Sequence, residues 1–178
     1  MQVVYHIGAH CTDQDALHGS LVKNKAALVQ NKVVLPHPRK YQNAILENLQ
    51  AIARGERPDM FGEELLSDIL GDSDAKRMIL TNANFIYVPD QIFEGGDFYA
   101  LMVEKLQVFG TLLHGHDIEL SICMRDPGTF IPAAYGQSHG RSFKRFVAGA
   151  TPALVQWSGL IHRIRTVLPR AKITAWCN

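Results

Sequence analysis

Val3-Val-Tyr-His-Ile7-Gly8-Ala-His-Cys11-Thr12-Asp-Gln-Asp15 is the stretch whose reading decides the fold. Val3–Ile7 is a short, mostly apolar run ending at Gly8, the pattern of a buried strand entering a turn. After the turn, Leu17, Leu21 and Leu28 fall at helical spacing, with Val22 and Val29 beside them. Strand, tight polar loop and helix in that order form the opening unit of an α/β domain. In open α/β sheets, ligands bind beyond the carboxyl ends of the strands, so this first loop is also the first place to seek a site.

The same alternation continues outward. Lys32–Leu35 is a short strand closed by Pro36 and Pro38, and Tyr41, Ile45, Leu49 and Ile52 mark a helix with Gly55 as its C-terminal cap. Phe61, Leu65, Ile69 and Leu70 predict a shorter helix stopping at Gly71, and Arg77–Leu80 predicts a strand. Asn82–Gly96 is polar, aromatic and rich in turn residues, without a readable period. From Phe98, the residues Leu101, Met102, Leu106, Phe109 and Leu113 trace a helix face, and Ile118–Met124 is the clearest strand in the chain. Thr151-Pro152 reads as the N-cap and first turn of a last helix with Trp157, Leu160, Ile161, Ile164 and Leu168 on its apolar face. Lys172–Trp176 closes as a strand. Strands alternating with helices predict a single three-layer α/β domain over 1–178, with a mostly parallel sheet covered on both faces. Because the last element is a strand with no helix after it, the chain reads as truncated at the C-terminus.

The 178 residues are 47% hydrophobic and 20% charged, the balance of a folded domain large enough for a real core. The net charge of +1 comes from Lys and Arg spread along the chain, which argues against nucleic acid and anionic membrane surfaces as partners. No apolar run approaches the ~20 residues of a membrane span, and the N-terminus lacks the pattern of a signal peptide. Cys11, Cys123 and Cys177 form neither a disulfide framework nor a zinc pattern, and reduced thiols suit a cytoplasmic protein.

The first loop resembles the 5′-phosphosulfate loop of sulfotransferases, whose bacterial members read H-I-G-x-H-K-T-G-T-T. His6, Ile7, Gly8, His10 and Thr12 match, Cys11 stands at the lysine position, and Asp13, Gln14 and Asp15 replace Gly-Thr-Thr. A second stretch, Arg125-Asp126-Pro127 with Tyr135 in register, is similar to that family's 3′-phosphate motif, R-[DN]-P-x-x-x-x-x-S-x-Y, with Ala133 at the serine. The resemblance implies a P-loop-type fold and sulfuryl transfer from 3′-phosphoadenosine 5′-phosphosulfate to a small-molecule alcohol or amine. It implies nucleotide contacts from Gly8, Thr12, Arg125 and Tyr135, with Cys11 at the catalytic lysine and His10 nearby. It spans most of the chain and is firm over 3–17 and 117–146.

The departures have a chemical meaning. A thiol cannot supply the lysine's positive charge to a departing sulfuryl group. Asp13 and Asp15 would each repel an incoming dianion by a few kcal/mol at an effective dielectric near ~20. Thr12 and Asp15 also suit a helix start that caps itself, with acidic side chains complementing the dipole. Three readings follow: an active sulfotransferase, a non-catalytic binding or regulatory relative, and a thiol-based activity at Cys11. Arg125 either pairs with a phosphate or with a neighbouring carboxylate such as Asp126. His114 and His116 lack a third metal ligand, and no metal is assigned. The cluster His139, Arg141, Lys144 and Arg145 reads as a solvated face, Trp157 and Trp176 as core aromatics, and Asn82, Asn84 and Gly95-Gly96 as a possible cleft lining.

Overall fold

The computed structural model describes residues 1–12, 16–57, 62–85, 88–139 and 142–178. The readings placed on Asp13, Gln14, Asp15, Phe61 and Arg141 lie outside these. Five strands, β1 (Gln2–His6), β2 (Val33–Val34), β3 (Arg77–Thr81), β4 (Asp117–Met124) and β5 (Lys172–Cys177), form one sheet in the order β2-β3-β1-β4-β5. Every pairing is parallel. Among the described residues the connections hold eight helices: α1 (Ala16–Lys23), α2 (Lys25–Gln30), α3 (Gln42–Ala53), α4 (Glu63–Leu70), α5 (Met102–Leu112), α6 (Pro127–Gly136), α7 (Phe143–Val147) and α8 (Trp157–Val167). The chain is thus an α/β domain with an all-parallel sheet.

The register shows why the sheet has two unlike faces. Paired residues share a face, so Val3 and Tyr5 lie with Met78, Leu80, Ile118 and Leu120. This face is apolar and forms the core with Ile45 and Leu49 of α3, Leu65 and Ile69 of α4, Leu106 and Phe109 of α5, and Leu160 and Ile164 of α8. The rings of Tyr5, Phe85 and Phe109 meet at its centre, with centroids 4.6 to 5.2 Å apart.

The opposite face carries Gln2, Arg77, Glu119, Ser121, Lys172 and Thr174, so it is not the apolar surface usual in a parallel sheet. Glu119, only 4% exposed, is the polar centre. Its carboxylate accepts from Gln2 Nε2 (3.1 Å), Arg77 Nη2 (3.2 Å) and Thr174 Oγ1 (2.9 Å), and Lys172 Nζ lies 3.3 Å away. One side chain thereby ties together β1, β3, β4 and β5. A buried carboxylate is tolerable only with such a set of partners.

Three local expectations are corrected. The helix expected through Leu17, Leu21 and Leu28 breaks at Asn24, whose side-chain amide donates to the Ser20 carbonyl at 2.9 Å, and neither α1 nor α2 buries a residue. Asparagine competes in this way with the helix's own ladder. Thr151-Pro152 opens only the single 3-10 turn Pro152–Leu154, without a side-chain cap bond, and α8 begins at Trp157. Trp176 is not a core aromatic: it lies half-buried on the polar face, stacked on His6 at 5.5 Å. The sequence also hid α6. Its start is marked by Asp126, whose carboxylate accepts from the Thr129 amide at 3.1 Å, with Pro127 in the first turn.

Candidate functional site

From β1 the chain's crossovers run toward β2, and from β4 they run toward β5. The carboxyl ends of β1 and β4 therefore flank the switch point where a doubly wound sheet opens a crevice. The loops carrying Cys11 and Arg125 both leave from this point, and they touch.

The β1–β4 ladder runs on past the strand end. The Ile7 amide donates to Ser121 O (3.0 Å), Cys123 N–H to Gly8 O (2.7 Å), and Ala9 N–H to Cys123 O (2.9 Å). Gly8 has φ of +105°, where a side chain would be strained, so its glycine is required by the backbone. Beyond it the loop is held by side chains. The His10 amide points at the Tyr99 hydroxyl (3.4 Å), and His10 Nδ1 lies 2.8 Å from the same oxygen. His10 is 3% exposed, and burial raises the Tyr99 phenol so that it stays protonated. Thr12 Oγ1 donates to Ala9 O at 2.6 Å.

Arg125 follows β4. Its Nη1 donates to the Cys11 carbonyl at 2.8 Å and its Nε to Thr129 Oγ1 at 3.1 Å. Trp157 Nε1 donates to the Arg125 carbonyl at 2.7 Å, and the Asn178 side chain donates to Thr12 O. Both loops are thus laced to each other, to α8 and to the segment after β5. Burial pushes the Cys11 thiol up from its ordinary value, and the Arg125 charge acts against that shift.

Two open recesses meet at Cys11. One, of about 530 Å³, is lined by Thr12, Arg125, Asp126, Thr129 and Asn178. The other, of about 460 Å³, is lined by His10, His18, Gln42, Thr81, Asn82 and Asn84. Thr81 Oγ1 is 3.2 Å from His18 Nδ1. Asn82 and Asn84 therefore do line the crevice, whereas Gly95 and Gly96 lie in a separate 3-10 turn, Glu94–Gly96. Gly8, His10, Cys11, Thr12 and Arg125 converge. Tyr135 does not: its ring packs on Phe143 and Phe146, with centroids 5.3 and 5.6 Å away. The half-buried Ala133 supplies no hydroxyl.

Among the described residues, the two loops do not fit a phosphosulfate donor. A phosphate cradle needs backbone amides aimed outward at the anion. Across Ala9–Thr12, the Ala9 amide is spent in the ladder and the His10 amide on Tyr99. The residue at the lysine position is a protonated thiol. Arg125 is engaged by Cys11 and Thr129, and the Asp126 carboxylate shares its recess.

Tyr99, Thr129 and Trp157 are the site residues that sequence reading missed. Tyr99 meets His10 across 89 positions, and nothing in the local pattern of either predicts it. The signal that points to Thr129 is the Asp126-Pro127 helix start, whose N-cap carboxylate accepts from its amide. Among the described residues, no three His, Cys, Asp or Glu side chains gather as a metal set, and no helix is long and apolar enough to cross a membrane. No protein-family description, no curated protein and no solved structure matches the chain.

Proposed function

We propose that the chain is a sulfotransferase-like domain of the three-layer P-loop type that has given up sulfuryl transfer and serves as a small-molecule-binding or regulatory module in the cytoplasm. The observation that carries this reading is the state of Arg125. The guanidinium that the family uses for a nucleotide phosphate here clamps the Cys11 carbonyl, closing one loop onto the other. With the Ala9 and His10 amides also committed, an anion at this loop has fewer donors as well as no lysine. An active sulfotransferase is the rival reading, and it requires both loops to open on binding. A thiol activity is disfavoured, because a nucleophilic cysteine needs a lowered pKa and Cys11 is shifted the other way. Calorimetric titration with 3′-phosphoadenosine 5′-phosphate separates the first two. No saturable heat is expected, and tight binding would return the domain to the enzymes.

A further inference from the structure

Among the described residues, the Tyr5 hydroxyl is one of the buried polar atoms that no hydrogen bond satisfies. Tyr5 sits at the middle of β1, fully buried, and its hydroxyl has no hydrogen-bond partner. The Asn82 side chain stands close enough to favour the phenolate slightly but closes no hydrogen bond of normal geometry. A buried, unpartnered hydroxyl is costly and calls for an explanation.

Tyr5 lines a groove of about 530 Å³ between α3 and α5, a volume typical of small-molecule sites. Its walls are largely apolar, from residues such as Ile45, Leu49, Phe85 and Val108. Leu46, Val88 and Leu101 stand around it at 51%, 46% and 38% exposure. They are three of the seven large hydrophobic side chains exposed among the described residues, gathered at one feature. Scattered apolar residues need no explanation, but a gathered set around a concavity does.

The polar groups define the ligand's chemistry. Asn82 Oδ1 accepts from the Asn84 amide at 3.0 Å, leaving the Asn82 NH₂ as a donor. The Tyr5 O–H is a second donor at the same place. Both are neutral, and the buried Tyr5 hydroxyl has no partner of hydrogen-bonding geometry. Charge enters the lining only as Glu104 and Lys105, of opposite sign, and burial lowers the Lys105 pKa while Glu94 opposes that shift. We infer that the α3–α5 groove binds a neutral, mainly hydrocarbon small molecule whose carbonyl oxygen accepts from Tyr5 and Asn82. The inference is distinct from the nucleotide question: Asn82 and Asn84 also line the recess beside Cys11, but Tyr5 and the apolar walls do not, and none of these groups is in the Cys11–Arg125 contact.

The test uses butyrophenone, with butylbenzene as its deoxygenated control, titrated into ¹⁵N-labelled full-length protein and followed by amide shifts. Saturable shifts confined to residues 42–53 and 102–112 and the loop around Asn82 are expected for the ketone. Tyr5→Phe keeps the ring and removes only the hydroxyl. It is expected to weaken the ketone about fivefold, in line with the loss of one hydrogen bond, and to leave the hydrocarbon unchanged. Shifts that do not saturate, or that scatter over the surface, overturn the site. Equal ketone affinity in wild type and Tyr5→Phe overturns the role of the hydroxyl, and with it the ligand class. The nucleotide titration has its own readout, so either idea can fail without the other.

Discussion

Two buried tyrosines offer a paired substitution with opposite expected signs. Tyr5 and Tyr41 are both fully buried, and Tyr→Phe removes one oxygen from each without disturbing ring packing. The Tyr41 hydroxyl is doubly used: it donates to Thr81 O at 2.8 Å and accepts from Thr81 N at 2.9 Å, where β3 outruns the two-residue β2. Removing it leaves the Thr81 N–H unpaired in the interior, a loss of about 1–3 kcal/mol. The Tyr5 hydroxyl has no partner, so its removal relieves a desolvation cost of similar size, about 1–3 kcal/mol, in the opposite direction. For a domain of this length, 1 kcal/mol moves Tm by about 2–4 °C. Tyr5→Phe is therefore expected to raise Tm and the urea midpoint of the ligand-free protein, and Tyr41→Phe to lower both. The assay is urea unfolding followed by far-UV circular dichroism, with m-values compared to confirm that only stability changed. Destabilisation by Tyr5→Phe equal to that by Tyr41→Phe would show that the Tyr5 hydroxyl is satisfied, and the reasoning would fall.

Three further outcomes follow from the structure. Glu119→Ala is expected to cost about 2–4 kcal/mol, because the carboxylate is buried and four strands lean on it; the figure is held down because the Arg77 and Lys172 heads reach water. An unchanged urea midpoint would count against its role. Cys177 is exposed and Cys11 is half-buried with a raised pKa, so iodoacetamide at pH 7.5 is expected to label Cys177 first, read by peptide mass mapping. Faster labelling of Cys11 would revive the thiol reading. His116 has both ring nitrogens buried without hydrogen bonds, and burial lowers its pKa below the usual 6.5. Its neutral form suits the fold, so the unfolded chain takes up the proton first, and its contribution is present above pH 6.5 and lost as pH falls through the folded pKa. Urea midpoints should drop from pH 7.5 to 5.5, and less so in His116→Asn; an equal drop in both would remove His116 as the cause.

Much of the architecture was legible because it rests on local apolar runs. Val3–Ile7 and Ile118–Met124 bury residues on successive positions, and the α3 and α5 faces repeat at helical spacing, so period alone identifies them. The strand-end positions of Cys11 and Arg125 followed from the same runs. What stayed hidden depends on long-range polar partners. Glu119 reads as a single charge in an apolar run until Gln2, Arg77, Lys172 and Thr174 are placed around it. Leu17, Leu21 and Leu28 have a convincing spacing, yet one side-chain bond from Asn24 ends the helix between them. Arg125 matched a motif for phosphate, and its actual partner, a carbonyl 114 positions away, leaves no trace in sequence. The Tyr5 hydroxyl is likewise invisible in sequence, because being unpartnered is a property of the whole packed core.

The most direct test of the central claim is isothermal titration of the wild-type chain with 3′-phosphoadenosine 5′-phosphate, paired with Cys11→Lys/Asp13→Gly/Gln14→Thr/Asp15→Thr. Wild type is expected to show no saturable binding tighter than about 100 μM, that is, less than about 5.5 kcal/mol of binding free energy. The quadruple variant restores one cation and removes two carboxylates, and it is expected to bind more tightly than wild type. A low-micromolar dissociation constant for the unmodified chain would contradict the account. It would mean that Arg125 releases the Cys11 carbonyl to take the phosphate, and that sulfuryl transfer is still within reach of this fold.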